Sequence, residues 1–332
     1  MKGGMFMYNS TVTGVFYPYI KDFITMKHNL GFVSSGMEIS LKAFDRFAKS
    51  MGVTQICVSE TLVQAWCRKR TGEANDTWSH RVNHLRQFCI YLCNMGFEAY
   101  IPQKMPSKKD ACFIPYIYSD EERQAIFNAV DTLRLYDLHM NSALFILPAL
   151  IRLLFATGLR IGEALALKTD DVNLNANFLI VRKSKNGKER IVPFTDSLSK
   201  VLSQYLSYRE KLPCLKGEHF FIKPNGEHCS NVGAVTYWWN KIRSIAKIPR
   251  RGKTDGPRVY DVRHSFCVKS MRKMTQDGKD LYYSLPVLST YIGHTKLAST
   301  DRYVRMTADM YPDLLGKIES ICAYIFPQIK SR

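Results

Sequence analysis

No stretch of the chain approaches the roughly 18 consecutive apolar residues a transmembrane helix needs. The N-terminal segment MKGGMFMYNSTVTGVFYPYIKDF also has no uninterrupted apolar core of the kind a secretory signal carries. Both absences speak against a membrane or secreted protein, so a cytoplasmic one is expected. Paired cysteines are missing too. The nine cysteines are scattered without a CxxC spacing, and Cys89 and Cys93 sit one helical turn apart in an apolar pattern. They read as reduced core residues, not as disulfides or a zinc site. His80 and His84 have the spacing of a metalloprotease pair, but Arg81 stands where the general-base glutamate belongs, which leaves a solvated helix face. No metal and no cofactor is expected. Internal repeats of about 20 to 50 residues and low-complexity tracts are likewise absent.

Negative charge is scarce. Against 47 Lys and Arg there are 29 Asp and Glu, for a formal net charge of +18, the bias of a protein that neutralises phosphates. Nucleic acid therefore heads the candidate partners, although charge alone also fits a membrane-surface binder. A length of 332 residues with 46% hydrophobic content supports two globular units.

What is present divides accordingly. Apolar residues recur at three and four spacings over Ser40 to Ser50, over Ser59 to Arg70 and most clearly over Trp78 to Met95, which predicts short amphipathic helices. Arg68, Lys69 and Arg70 end one of them, and Arg81, His84 and Arg86 decorate the next, giving a helical DNA-binding unit over residues 1–100 with a positive side. Residues 101–116, IPQKMPSKKDACFIPY, carry three prolines and a Lys-Lys pair and read as a basic linker. A second domain over 117–332 opens with Ser119 to Glu122, a capping-box sequence. The apolar run Leu144 to Ala156 predicts its central helix, with Pro148 in the first turn. Two β-type runs, Phe178 to Val181 and Arg190 to Pro193, flank Asn186-Gly187 and predict a basic hairpin. The expected class is mainly α with a small sheet.

Four separated segments ask for one explanation. They are ATGLRIGEALAL around Arg160, KSKNGKERIVP with Lys185, YDVRHSF with Arg263, and YIGHTKLASTDRYVR with His294 and Tyr303. Together, in order and spacing, they resemble the tyrosine recombinase (phage integrase) family, and the resemblance covers the chain from about Ser119 to its end. It implies a two-domain DNA clamp: a helical core-binding domain followed by a catalytic domain. The catalytic domain's tail helix starts at about residue 306 and packs either on its own core or on a neighbouring protomer. It also implies an enzyme that cuts and rejoins double-stranded DNA at specific sites. A 3′-phosphotyrosine and a Holliday junction are the intermediates, and neither metal nor ATP is used. The protein is expected to be monomeric when free and tetrameric on DNA, nucleoid-associated, and open to sister recombinases or accessory proteins.

Chemistry explains the residue types. Attack on a phosphodiester builds negative charge on non-bridging oxygens, and guanidinium groups meet it with always-charged, forked contacts. The resemblance assigns that task to Arg160 and Arg263, nucleophilic attack to Tyr303, protonation of the departing 5′ oxygen to Lys185 with Lys188 as the alternative, and a phosphate hydrogen bond to His294. Glu163, three residues after Arg160 and on nearly the same helix face, matches a supporting acidic position. One departure stands out: the family's His-x-x-Arg-His is here Tyr260-Asp261-Val262-Arg263-His264. A phenol is a reluctant proton acceptor at neutral pH, so proton removal from Tyr303 passes to His264, His294 or water, and Tyr260 keeps an altered role. The preferred role is integration of a mobile element. The alternatives are a Xer-like chromosome-dimer resolvase and a catalytically weak DNA-binding relative. A type IB topoisomerase fits the size and the short N-terminal unit poorly, and a helical regulator has no need of Arg160, Arg263 and Tyr303 together.

Overall fold

The structure, a computed structural model, describes residues 14–32, 35–105, 115–182, 189–213, 217–251, 256–294, 300 and 303. The chain divides into two compact units, Met1–Phe113 and Ile114–Arg332.

The first unit is helical: α1 (Tyr17–Asn29), α2 (Ser35–Ser50), α3 (Glu60–Cys67) and α4 (Asn75–Asn94). Helix α1 lies in the stretch before residue 40, where the sequence leaves an added helix and a flexible arm both open. Pro18 starts it in the first turn, Ile20, Phe23 and Ile24 form its buried stripe, and Lys27 and His28 suit its C-terminal dipole. Asp45, on α2, accepts the backbone N–H groups of Gly14 at 2.7 Å and Phe16 at 3.1 Å and so tethers the entry to α1. Ser59 caps α3 by accepting the Leu62 N–H at 3.3 Å. The faces close over a core that includes Phe16, Phe23, Phe44, Trp66, Leu85, Phe88 and Leu92.

Arg81, expected among the DNA-facing charges, is instead buried at 6% exposure. Its Nε and Nη2 reach Glu73 at 2.8 and 2.7 Å, Nη2 also donates to Arg68 O at 3.1 Å, and Nη1 donates to Trp66 O. A basic residue on a helix face looks the same in sequence whether it meets water or an acid across a turn. Here it satisfies the orphan carbonyls at the end of α3, and its plane lies over the Trp66 ring with the guanidinium carbon 5.2 Å from the centroid.

The second unit runs α5 (Asp120–Thr132), α6 (Leu147–Thr157), α7 (Ile161–Leu165), β1 (Val172–Asn173), β2 (Phe178–Val181), β3 (Arg190–Pro193), α8 (Asp196–Arg209), α9 (Val232–Ile245), α10 (Asp261–Gln276) and α11 (Leu281–Ile292). Ser119 and Glu122 form the expected capping box at α5, and Pro148 occupies the first turn of α6, whose apolar sides are almost wholly buried. The sheet is antiparallel in the order β1-β2-β3, with Leu179 opposite Val192 and Ile180 opposite Ile191. The turn between β2 and β3, with Lys185 and Lys188, lies outside the described residues, as does the tail after Tyr303. No helix among the described residues is long and apolar enough to cross a membrane, and Cys57, Cys67, Cys89, Cys93, Cys229 and Cys267 are free thiols.

Helix α6 stops at Gly158, in the left-handed region at φ 61°. A Cβ there would lie 2.3 Å from Cδ1 of Phe266 on α10, so the glycine lets the chain turn tightly against α10 and deliver Arg160 two residues later.

Removing Arg81 tests its structural assignment. Arg81→Met leaves Glu73 buried without its partner, which should destabilise the unit by about 3 kcal/mol in denaturant unfolding of the intact chain, with DNA affinity unchanged where the fold persists. Native unfolding accompanied by weakened DNA binding would return Arg81 to the DNA-facing set.

Candidate active site

Four helix ends and one strand end meet in the second unit. Arg160 is the N-cap residue of α7. Its backbone N–H donates to Glu163 Oε2 at 3.1 Å and its Nη1 to Glu163 Oε1 at 2.7 Å, the carboxylate reaching back as in a capping box. Arg160 Nη2 extends to the carbonyl of Gly293 at 3.5 Å. Arg263, in the first turn of α10 and 2% exposed, donates Nη1 to Gly158 O at 2.8 Å and Nη2 to Ile292 O at 2.6 Å.

Those carbonyls belong to the C-terminal ends of α6 and α11. Helix ends leave carbonyls without intrahelical partners and carry a partial negative charge, so cations are held there without further counter-ions. Burial, and then the neighbouring Arg160, push Arg263 below its ordinary value. Such a group stays protonated at neutral pH because its reference lies so high.

Periodicity missed Arg190. It begins β3, donates Nε to Tyr291 O at 2.9 Å and grips Glu163 by a fork, Nη2 to Oε2 at 2.8 Å and Nη1 to Oε1 at 3.3 Å. The available signal was alternation: Arg190 shares the inward face of the strand with fully buried Val192, whereas Ile191 is 62% exposed. A charged residue on an inward face calls for a partner. Burial opposes the charge on Glu163, but Arg190 and Arg160 outweigh it and hold the carboxyl below the usual glutamate range.

Tyr303 is 3% exposed, packed with Cys267, Val268, Met271, Leu285, Leu288 and Ile292. Its hydroxyl lies 3.0 Å from His264 Nδ1. Burial, and then Cys267, push the phenol well above its ordinary range, so it is held protonated. The same packing pushes the Cys267 thiol up to about 12, chiefly through burial. His294 lies parallel to Tyr303, ring centroids 6.1 Å apart and planes 13° from parallel, and its Nδ1 is 2.9 Å from the Thr300 hydroxyl. Tyr260 is 44% exposed, and its ring meets that of His264 in a T-shaped contact with centroids 5.3 Å apart.

Thus Arg160, Glu163, Arg263, His264, His294 and Tyr303 come together, with Tyr260 at the rim beside His264. In the first unit Arg68, Lys69 and Arg70 are exposed. Arg70 lies over the Trp66 ring at 4.8 Å, and Lys69 donates to Asn75 Oδ1. His84 is half-buried and pushed down by burial and His80, and Arg86 donates to Pro102 O at 2.6 Å.

The profile described as the Phage integrase family matches residues 117–310. A relative named putative integrase/recombinase y4rB, from Sinorhizobium fredii (strain NBRC 101917 / NGR234), is 28% identical over 306 residues, covering 90% of this chain and 96% of its own. Among solved structures, the XerH site-specific recombinase bound to difH substrate in a pre-cleavage complex superimposes with a TM-score of 0.61 at 19% identity, covering 86% of this chain and 81% of its own. The Tn1549 transposon integrase in complex with circular intermediate DNA gives 0.60 at 15% identity, covering 86% and 94%. These two structures share the fold.

Burial, followed by Arg263 and Arg160, pushes His294 down to about 4. Unfolded histidine takes up its proton near pH ~6.5. Between about 6.5 and about 4 the unfolded chain therefore holds the extra proton, and stability falls as the pH falls through that window, levelling below it. His294→Gln should flatten this part of the curve of unfolding free energy against pH. An unchanged slope would mean that the folded imidazole is not held neutral.

Proposed function

The chain belongs to the Phage integrase family and is a site-specific tyrosine recombinase, and from that premise we propose that Tyr303 is its nucleophile and that Arg160 and Arg263 clamp the scissile phosphate of double-stranded DNA. The observation that carries the reading is the convergence of both arginines on adjacent carbonyls, Gly293 and Ile292, next to His294 and Tyr303.

Tyr303 Oη attacks phosphorus, the bond from phosphorus to the 5′ oxygen breaks, and the 3′ end stays on the enzyme as a phosphotyrosine. Charge building on the non-bridging oxygens falls to the guanidinium groups. Neutral His294 adds a hydrogen bond when its Nδ1 accepts from Thr300 and its Nε2 carries the proton. The departing 5′ oxygen takes its proton from Lys185, or from Lys188, both assigned through the family resemblance. Among the three proton acceptors left open by Tyr260, the 3.0 Å separation from the Tyr303 hydroxyl favours His264. Tyr260 then serves as a rim donor to the phosphate. Because the phosphate ester is conserved, attack by a 5′ hydroxyl reverses the step without ATP.

The buried phenol must be uncovered before it reaches phosphorus, since reacting atoms need to approach to roughly 3–3.5 Å. DNA binding supplies that change on this reading. The exposed trio Arg68, Lys69 and Arg70 holds the backbone from the N-terminal unit, four copies act on two sites, sister recombinases or accessory proteins set direction, and the work is done at the nucleoid. Mobile-element integration is the preferred role, in keeping with the relative named putative integrase/recombinase, and Xer-like dimer resolution is the alternative.

Nicked suicide substrates tiled from the DNA flanking the gene test the reading on denaturing gels. The native chain should form a metal-independent covalent band that Tyr303→Phe loses while still binding the same DNA. An adduct with the phenylalanine variant overturns the nucleophile assignment, and native binding without any band favours a non-cleaving DNA-binding protein.

A further inference from the structure

We propose that Arg190 is a positioning residue for strand cleavage, one that balances Glu163 so that the charge of Arg160 remains available to the phosphate. The inference rests on the reading of Arg160 as a phosphate clamp. Glu163 has a side chain only 4% exposed, and a carboxylate offers about four acceptor positions. All four are taken: Arg190 at 2.8 and 3.3 Å, Arg160 Nη1 at 2.7 Å and Arg160 N at 3.1 Å.

One carboxylate cannot neutralise two guanidinium groups, so the trio keeps one net positive charge. Exposure indicates where that charge acts. The Arg190 side chain is 9% exposed and that of Arg160 20%, and Arg190 is additionally fixed to Tyr291 O at 2.9 Å. Arg190 is the inner, committed partner and Arg160 the outer one. Without Arg190, Glu163 and Arg160 close into a neutral pair, and the carboxylate competes with DNA for the arginine.

The chain also makes room for this side chain. Gly293, with φ 68°, is the residue before His294, and a Cβ there would lie 2.8 Å from Arg190 Nη1 and 3.0 Å from Cζ. Arg190 therefore ties strand β3 to the end of α11 at the point where Arg160 and His294 meet.

The test is single-turnover formation of the Tyr303 adduct on a suicide substrate at saturating DNA, with affinity measured separately. Arg190→Met should slow adduct formation by about 100-fold, the scale of losing one preorganised charge contact, at native DNA affinity. Adding Glu163→Gln to that variant removes the unmatched carboxylate and should recover about tenfold. A residue that merely packs the fold predicts a double variant no faster than the single one. Arg190→Lys keeps the charge and should stay within about tenfold of the native rate, and it carries the comparison if the methionine variant unfolds. A native rate in Arg190→Met, no recovery in the double variant, or a full loss in Arg190→Lys overturns the positioning role alone. Absence of a Tyr303-dependent adduct from the native chain overturns the clamp reading and this role with it.

Discussion

Arginine side chains gathered in one half-buried pocket repel one another, and the second unit is built around what holds them. Two unit charges about 4 Å apart at an effective dielectric of about 20 oppose each other by about 4 kcal/mol, a large fraction of the stability of a domain. Two devices offset this. Glu163 is shared between Arg160 and Arg190, and the C-terminal carbonyls of α6 and α11 receive Arg263, Arg160 and Arg190 at Gly158, Ile292, Gly293 and Tyr291. Distant parts of the fold serve that end: the glycine stop of α6 against Phe266, the inward-facing first residue of β3, and the last turn of α11 laid beside it.

The same electrostatics determines the state of the uncharged groups. In a pocket already rich in cations a histidine gains nothing by protonating, whereas for the phenol burial outweighs the pull of Arg263 toward the phenolate. Burial and the arginines hold His294 neutral, and burial together with Cys267 keeps Tyr303 protonated. The site therefore presents fixed positive charge together with neutral hydrogen-bonding groups. That combination suits a reaction whose transition state gains negative charge on phosphate oxygens while a neutral phenol gives up its proton.

Much of this was legible in the sequence where the signal was local. The capping box at Ser119 and Glu122, the proline start of α6 and the two β-type runs at Phe178 and Arg190 are short-range patterns, and the structure reproduces each. Helix α1 was not legible, because its buried residues Ile20, Phe23 and Ile24 form too short a stripe among aromatic neighbours to stand out as periodic. Arg81 and Arg190 were misjudged or missed for a shared reason. Each pairs with an acid outside its own element, Glu73 across a turn and Glu163 from another helix, and no spacing rule along one chain segment announces such a partner. The family resemblance supplied Arg160, Arg263, His294 and Tyr303 as a set, which periodicity alone had no means to assemble.

The departure at Tyr260 takes on a different weight once α10 is considered as a helix. Tyr260 is the residue that caps it and His264 lies one turn further along, so the two project from neighbouring points of one face. Their rings meet in a T-shaped contact with centroids 5.3 Å apart, and His264 Nδ1 lies within hydrogen-bond reach of the Tyr303 hydroxyl. On the roles proposed above, the imidazole one turn along serves as the proton acceptor and the half-exposed phenol keeps a hydrogen-bond donor for phosphate. On those same roles, the departure at 260 moves the acid–base work along the helix without removing it and leaves the arginine cluster untouched.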